Sequence, residues 1–468
     1  MSPLTHLVMF GWIPVVLLLF AVFPPRTAVI AAFVGAWMFL PVARYEFSGL
    51  PEYTKMSATC LGILLGATLF DADRLFNIKL TGWDLPMGMW LVSPTISSLT
   101  NGLGLYDGVS AFLNQFTTWG LPYLVGRVYL ATPRDLEVLV KAFFLGGIAY
   151  IPLCLFEIRM SPQLHRMFYG FYPHPDFAQT IRMGGYRPMV FMEHGLMVGM
   201  WMAGATLCGV WLWMTKAVTD IRGIAMKYLV PPLFVTLVLC KSMGALGLMI
   251  IGLTLMYFCR RFKTSIFILM FLMLPPTYMV CRSTGLWSGD AIGDMVAAVS
   301  EERAGSLIFR FENEDILLDK AVQRPMFGWG GWGRARVYNE EGEDISTTDG
   351  LWIIVLGNYG VWGLTAMLGL FLIPTVRTFR LWGKQMWIDR HATATLIMGV
   401  LLILYTVDNI LNAMINPIFI FAAGAMAAQA AHGEMLPHIW ETEGVEEQEQ
   451  TGDGMQSLEP APQGTRII

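Results

Sequence analysis

Apolar runs long enough to cross a lipid bilayer recur along this chain from Leu7 to Gln429. The hydrocarbon core of a bilayer is about 30 Å thick, and a helix of about 20 apolar residues spans it. Charged residues make up only 14% of the 468-residue chain, against about 25% in soluble globular proteins. The sequence therefore predicts an all-α polytopic membrane protein, which we expect to contain about 12 or 13 transmembrane helices.

The polar segments between these runs predict how the chain is divided. Transmembrane helices are expected over 1–280, interrupted by a smaller polar segment at 159–188, and again over 349–431. Between them lies a large loop at 281–348, which has helical patterning of its own. The final segment, 432–468, is acidic and poor in apolar residues, so we expect it to be disordered.

The Lys and Arg residues of the short connections predict the orientation of the chain, because such residues are enriched on the cytoplasmic side of a membrane. They cluster in four connections, at 127–141, 216–227, 260–263 and 377–390. With these on the cytoplasmic side, both polar segments face the periplasm of a bacterial inner membrane, and the C-terminus is cytoplasmic. A transporter built from inverted repeats is disfavoured, because no strong internal repeat is visible.

The smaller polar segment concentrates positive charge beside the membrane. Between Arg159 and Pro188 the chain has 4 Arg and 1 acidic residue, and Arg182 and Arg187 flank a Gly-Gly turn. Guanidinium groups match the oxygens of phosphate, so these two arginines are candidates to bind a diphosphate. The alternative is that they anchor the segment at the membrane interface.

Glu193 and His194 follow this segment, about one turn inside the next predicted helix. Ionisable groups at that depth are functional candidates by default. The alternative is that the two side chains form a hydrogen-bonded pair with each other and with the neighbouring backbone.

The large loop contains one helical stretch, from Glu301 to Gln323, with apolar residues on one stripe. Arg303 and Arg310 are seven residues apart and share a face beside that stripe. This pattern predicts a helix on the membrane surface that directs both arginines at a cavity. The alternative is an ordinary surface helix in which Arg310 pairs with Glu314, one turn further on.

Two further features of the loop lie near the following transmembrane helix. A glycine-rich turn at 328–333 carries Trp329 and Trp332, which suit either the aromatic belt of a membrane interface or stacking on a sugar. Asp349 opens the next helix, where the helix dipole favours a carboxylate, but it could also take a proton from a sugar hydroxyl. No cluster of His, Cys and Asp has metal-ligand spacing, so neither a metal nor another cofactor is expected.

Several short motifs stand out along the chain. They are Ser306-Leu307 with Arg310, Pro325-Met-Phe-Gly328-Trp-Gly330, Asp349, Gly360-Val-Trp-Gly363-Leu364, Arg187 with His194-Gly195, LVLCKSMGAL at 237–246 and PYLVGR at 122–127. With these motifs the chain resembles the O-antigen ligase and O-antigen polymerase superfamily of bacterial polytopic membrane glycosyltransferases, and the resemblance is best over 306–364. Ligases of this family have a His where this chain has Asp349, and polymerase relatives often have Asp there, so the resemblance favours polymerisation.

The resemblance implies a glycan donor carried on undecaprenyl diphosphate and an acceptor sugar whose hydroxyl attacks the anomeric carbon without a metal. The resemblance and the residue patterns above together give the candidates: for catalysis, Asp349, Arg310 and Arg187; for the diphosphate, Arg187, Arg303, Arg310 and Arg182; and for sugar binding or support, His194, Glu193, Trp329 and Trp332. The expected partners are the lipid-linked glycan, the bilayer and other polysaccharide-assembly proteins, with no nucleic acid. Two alternatives stay open: an O-antigen ligase that transfers glycan to a final acceptor, and a transporter or flippase for lipid-linked glycans.

Overall fold

A computed structural model describes residues 1–298 and 301–432 of the chain, without the side chains of residues 302 and 303. The acidic tail predicted beyond residue 432 and the side chain of Arg303 therefore lie outside the described residues. The described chain is mostly helical, and its strands are limited to three two-stranded antiparallel hairpins.

The elements follow one another with short connections, apart from the two large polar segments. The helices are α1 (Pro3–Val22), α2 (Pro25–Phe39), α3 (Lys55–Phe70), α4 (Ala72–Phe76), α5 (Leu85–Thr100), α6 (Leu105–Gln115), α7 (Leu121–Tyr129), α8 (Pro133–Met160), α9 (Leu164–Tyr169), α10 (Gly195–Met214), α11 (Met226–Leu239), α12 (Met243–Phe262), α13 (Ile266–Leu272), α14 (Leu274–Ser283), α15 (Asp290–Ala297), α16 (Glu301–Ala321), α17 (Leu351–Trp382), α18 (Thr393–Leu411) and α19 (Pro417–His432). The hairpins are β1 (Arg44–Tyr45) with β2 (Tyr53–Thr54), β3 (Ile181–Arg182) with β4 (Gly185–Tyr186), and β5 (Asp220–Ile221) with β6 (Ile224–Ala225).

Seven helical segments of the described chain are long and apolar enough to cross a membrane. They are Pro3–Val22, Pro133–Met160, Gly195–Met214, Met243–Phe262, Ile266–Ser283, Leu351–Trp387 and Arg390–Leu411. Four shorter apolar helices, α2, α3, α11 and α19, accompany them. Length and composition thus confirm a helical protein with several membrane-spanning segments, while the higher count of 12 or 13 requires shorter helices to cross as well.

One end of the helix assembly, here termed the loop end, contains both polar segments of the sequence. Arg310 of the large loop donates a hydrogen bond to the carbonyl of Leu411, at the end of α18. Met414, three residues later, lines the same cavity as His194, which follows the smaller segment. The two polar segments therefore meet around the chain that joins α18 to α19.

The opposite end, here termed the basic end, holds short connections that carry Lys and Arg. Arg26, at the start of α2, pairs with Asp135 near the start of α8 (2.6 Å). The guanidinium of Arg377, late in α17, lies 5.5 Å from the ring centroid of Trp83. The polar and basic connections are thus segregated to different ends of the same helices.

The helix α17 is broken at Gly360, and the loop at 325–330 packs against the break. Gly360 has φ +65°, and a Cβ added there would lie 2.4 Å from the carbonyl oxygen of Met326, so only glycine fits. The N–H of Val361, beyond the break, donates to the carbonyl of Pro325 (2.8 Å). The glycine-rich turn and the break in α17 therefore form one unit, which anchors the large loop to a transmembrane helix.

A buried polar cluster holds α16, the long helix of the large loop, against α14 and α17. Glu314 accepts hydrogen bonds from Tyr278 Oη (2.6 Å), Trp352 Nε1 (3.1 Å) and Arg282 Nε (3.3 Å). Glu314 therefore does not pair with Arg310, and the surface-helix alternative is wrong on this point. A buried carboxylate with three donors specifies one position for α16, and so for Arg310 one turn earlier.

Candidate functional site

Arg310 and Asp349 form an ion pair at the loop end, where α16, the start of α17 and the end of α18 meet. Arg310 Nε lies 3.6 Å from Asp349 Oδ2. Its Nη1 donates to the Leu411 carbonyl and lies 3.4 Å from Asn412 Oδ1. The side chains of Arg310 and Asp349 are 25% and 34% exposed. The structure thus brings two of the predicted catalytic residues together and leaves both accessible to a ligand.

The start of α17 is held closely against the end of α18. Gly350, not Asp349, is the N-cap residue, and no side chain caps this helix, so Asp349 makes no capping hydrogen bond, although it stays next to the positive end of the helix dipole. The Leu351 N–H donates to the Asn412 carbonyl (3.2 Å). A Cβ at position 350 would lie 2.3 Å from the carbonyl oxygen of Ile410, so this close approach requires glycine.

Glu157, near the end of α8, clamps the smaller polar segment into one shape. Its buried carboxylate accepts hydrogen bonds from the backbone N–H groups of Leu164 (2.9 Å), Met189 (2.8 Å) and Val190 (2.7 Å). Val190 has φ +53°, a conformation that β-branched residues rarely adopt. The clamp determines where the chain leaves the β3–β4 hairpin and approaches α10.

The predicted arginines of the smaller segment lie beside Lys241, which joins α11 to α12. Arg187 is 8% exposed, and its Nη2 donates to the Lys241 carbonyl (3.2 Å). Lys241 has φ +54°, and its Nζ donates to the carbonyl of Arg182 (3.1 Å). Three cationic side chains in one small region make it suitable for an anionic ligand.

His194 is the N-cap of α10 and not a residue inside it, because the helix begins at Gly195; the expectation that it lies one turn into a span is wrong. Its Nδ1 accepts a hydrogen bond from the Leu196 N–H (3.0 Å), so we assign the proton of the neutral ring to Nε2. Burial first, and then the nearby groups Arg187, His174, Arg182 and Arg310, lower the pKa of His194 to about 4. Cations from both polar segments therefore act on one site, where His194 is a neutral donor at pH 7.

Glu193 does not pair with His194, so that alternative is also wrong. Its Oε1 accepts a hydrogen bond from Arg44 Nη2 in the β1–β2 hairpin (3.2 Å). Glu193, His194 and Arg44 line a cavity of about 650 Å³. Its other polar walls include Thr54, Ser57, Asn114, Thr117 and Thr118. A cavity of this volume is within the range of about 300–1,000 Å³ that holds small ligands.

An apolar groove lies on the other side of Arg310. Its volume is about 570 Å³, and it is formed by α13, α14, α15, α16 and the end of α18. Leu307 and Phe311, which flank Arg310 on α16, line the groove, as do Ile410 and Leu411. Because the next residues, 413–415, line the polar cavity, the chain at 410–415 separates the groove from the cavity, and Arg310 contacts its middle.

The two tryptophans of the glycine-rich turn have different surroundings. Trp329 Nε1 donates to the Lys320 carbonyl (2.8 Å), and the cations of Lys320 and Arg324 pack on its ring at 4.1 and 4.5 Å from the centroid. Trp332 is 83% exposed, and its Nε1 donates to Asp107 Oδ1 (2.6 Å). Trp329 is therefore part of the loop's own packing, whereas Trp332 is placed to contact a ligand.

Three residues of the site were not among the sequence candidates: Lys241, Asn412 and Arg44. Lys241 had a visible signal, because a cation lies between two short apolar runs at this position. Asn412 and Arg44 had none, since each acts through a partner that is distant in sequence. Such pairings leave no local pattern.

A scan of protein-family models finds no match to this chain, and a search of curated proteins finds no similar sequence. Function is therefore inferred from the geometry of the loop end, together with the motif resemblance described above.

Proposed function

We propose that this protein is a bacterial inner-membrane glycosyltransferase that moves a glycan from undecaprenyl diphosphate to a sugar hydroxyl, and so extends an O-antigen or exopolysaccharide chain. The observation that carries the proposal is the position of the Arg310–Asp349 pair. The two side chains are partly exposed, and Arg310 contacts the chain at 410–415, which separates an apolar groove from a polar cavity.

The order of these three surfaces matches the order of groups in a lipid-linked glycan. An isoprenoid chain is apolar and suits the groove lined by Leu307 and Phe311. The diphosphate that follows is anionic and suits Arg310, whose guanidinium matches phosphate oxygens. The glycan is polar and uncharged or weakly charged, and suits the hydroxyl and amide groups of the 650 Å³ cavity.

The reaction follows from the two ionic side chains. The acceptor hydroxyl oxygen bonds to the anomeric carbon of the donor sugar, and the bond from that carbon to the diphosphate oxygen breaks. The electron pair of that bond leaves with the diphosphate, whose developing charge Arg310 stabilises. Asp349 takes the proton of the hydroxyl as general base. Arg187 and Arg182 add positive charge near the leaving group. His194 donates a hydrogen bond from Nε2 to the reacting sugar.

The membrane placement belongs to the same proposal. Lys and Arg in the short connections of the basic end favour a cytoplasmic location for that end. The loop end, with the candidate site, then faces the periplasm, and the C-terminus is cytoplasmic. The count of 12 or 13 crossings is part of this arrangement.

The experiment that tests this function is product analysis in a strain whose own gene is deleted. The strain is complemented with the wild type, Arg310→Ala, Asp349→Asn or, as control, Arg166→Ala. Arg166 is an exposed arginine of the same end that bonds Tyr172 Oη (3.0 Å). Lipid-linked glycans are separated by size, and mature polymer is assayed at equal protein expression.

Single repeat units that accumulate on the lipid in the two site variants, with normal polymer in the control, are the expected result. Long lipid-linked chains without transfer to a final acceptor would show a ligase instead. Normal polymer from both Arg310→Ala and Asp349→Asn would contradict the enzyme and favour a transporter or flippase.

A further inference from the structure

A second polar cavity continues the first one. It has a volume of about 390 Å³ and lies between α5, α6 and the glycine-rich turn. The two cavities share the lining residues Asn114, Thr118 and Ile415. Together they form one trough, here termed the polar trough, which extends from His194 at one end to Trp332 at the other.

Trp332 forms the outer end of the polar trough and is held in an exposed position. The residue is 83% exposed, and its backbone has φ +62°, which bulky residues rarely adopt. Its Nε1 donates to Asp107 Oδ1 (2.6 Å), and Ser98 Oγ donates to the other carboxylate oxygen (2.7 Å). An indole that is oriented by its neighbours but not covered by them is placed to stack on a ligand.

The walls between the two ends are polar and mostly uncharged. They include the side chains of Ser110, Asn114, Gln115, Thr117 and Thr118. Gln115 Nε2 is buried without a hydrogen-bond acceptor among the described residues, which is unfavourable unless a ligand oxygen supplies one. Sugars fit such walls, because their hydroxyls bond to amides and hydroxyls while their C–H faces pack on an aromatic ring.

We propose that the polar trough binds a glycan chain of several sugar units, with the reacting sugar near His194 and a more distant sugar on Trp332. This inference rests on the proposed function, since it takes the end beside Arg310 as the reacting end. The chain that fills the trough is either the acceptor or the outer part of the donor glycan, which share this chemistry. The trough lets the protein distinguish long glycans from short ones at a position remote from the reaction.

The test is the binding of soluble glycan fragments to the full-length protein in lipid nanodiscs, measured by calorimetry. Fragments of one, two and four repeat units are prepared by mild acid hydrolysis of the polymer that the strain makes. Affinity of the wild type is expected to rise with fragment length. Trp332→Ala is expected to lower the affinity for the longest fragment about tenfold and to leave that for the shortest unchanged.

Tyr106→Ala is the matched control. Tyr106 is 84% exposed and precedes Asp107 on α6, but it lines neither cavity. Trp332→Phe keeps an aromatic ring and is expected to retain most of the length dependence. Equal losses in Trp332→Ala and Tyr106→Ala, or affinities that do not depend on length, would overturn the proposal and leave Trp332 as an interfacial anchor.

Two kinetic arms identify the glycan that fills the trough. If the loss of transfer rate in Trp332→Ala grows with the length of the acceptor while the donor carries one repeat unit, the trough binds the acceptor. If the loss of transfer rate grows with the length of the donor glycan while the acceptor has one repeat unit, the trough binds the donor glycan. The binding measurement does not require catalysis. Normal product from Arg310→Ala and Asp349→Asn would therefore contradict the proposed reaction and would leave the binding result unchanged.

Discussion

Two arginine–carboxylate pairs occupy opposite ends of the helix assembly. At the basic end, Arg127 Nε lies 3.0 Å from Asp84 Oδ1, and the two side chains are 5% and 8% exposed. Tyr123 Oη also donates to Asp84 (2.8 Å). At the loop end, Arg310 and Asp349 are 3.6 Å apart and 25% and 34% exposed.

The difference between the pairs lies in how completely each one is satisfied. The Arg127–Asp84 pair is buried and surrounded by its own hydrogen-bond partners, so no ligand can reach it and its effect is on stability. The Arg310–Asp349 pair is longer and partly exposed, and its Arg310 contacts the chain that separates the apolar groove from the polar cavity. A partly exposed ion pair of this kind positions both charged side chains for contact with a ligand. The same two residue types therefore serve different purposes.

The largest effect is expected from Arg127→Ala. Removing one partner of a buried pair leaves an uncompensated charge, and we expect the free energy of unfolding to fall by about 3–5 kcal/mol. Thermal unfolding of the detergent-solubilised protein measures this change. The control is Arg26→Ala, whose pair with Asp135 is at the same end but has an arginine side chain 39% exposed, so a loss of about 0–1 kcal/mol is expected. Similar losses in both variants would remove the distinction between buried and exposed pairs.

Arg310→Lys tests whether the partly exposed pair at the loop end requires a guanidinium group. Lysine keeps the charge but cannot contact Asp349 and the Leu411 carbonyl as the guanidinium does, nor bind two phosphate oxygens side by side. If the proposed glycan transfer is the activity, we expect its rate to fall about 10²–10³-fold, with a smaller change in stability than Arg127→Ala causes. Initial rates in nanodiscs at equal protein concentration measure this effect. A wild-type rate would show that positive charge alone is sufficient.

Glu157→Gln tests whether a carboxylate at the loop end affects stability because its hydrogen-bond acceptors are fully used or because of where it lies. Glu157 lies at the loop end, like Asp349, but its carboxylate is saturated by three backbone N–H groups. The amide nitrogen of Gln would face an N–H donor, so we expect a loss of about 1–3 kcal/mol in the free energy of unfolding. Glu193→Gln is the control, because Glu193 is 41% exposed and has a single close partner. If the two variants are equally stable, the number of hydrogen bonds that each carboxylate accepts does not determine its contribution to stability.

The smallest effect is expected from a mild lowering of the pH, from about 7.5 to about 6. Burial lowers the pKa of His165 to about 4, and burial with nearby cations does the same for the pKa of His194, whereas unfolded His titrates near 6.5. Between these values the unfolded chain binds more protons than the folded chain, so stability is retained above about pH 6.5 and is lost as pH falls toward 4. Between about pH 7.5 and pH 6, where only the first part of this loss occurs, we expect the unfolding temperature to fall by roughly a few degrees.

The variant His165→Gln tests the assignment of this pH dependence. His165 Nε2 accepts a hydrogen bond from the Val42 N–H (3.0 Å), and its Nδ1 bonds the Phe171 carbonyl (2.8 Å). Gln can make both bonds without titrating, so the pH dependence should become shallower. An unchanged slope would assign the effect to other groups.

Local pattern was sufficient for some of the site and misleading for other parts. The helical spacing around Arg310 predicted a helix that presents this arginine, and the polar start of the next helix predicted Asp349. Glu193 and His194 were placed one turn too deep, because a long apolar run does not show where its helix begins. Trp329 and Trp332 have nearly identical sequence neighbours, yet Lys320 and Arg324 pack on the first, whereas the second is exposed and bonds Asp107.

Composition and the length of the apolar runs were enough to identify a helical chain that is apolar enough to span a membrane, because both act locally along the chain. Side-chain type was enough to identify the arginines as candidates for binding an anion. Tertiary packing was needed to show that Asp84 is fully paired with Arg127 and Tyr123 whereas Asp349 stays partly exposed beside Arg310. The number of partners that a charged side chain has depends on the groups that packing brings within about 4 Å of it. Those groups come from distant parts of the chain.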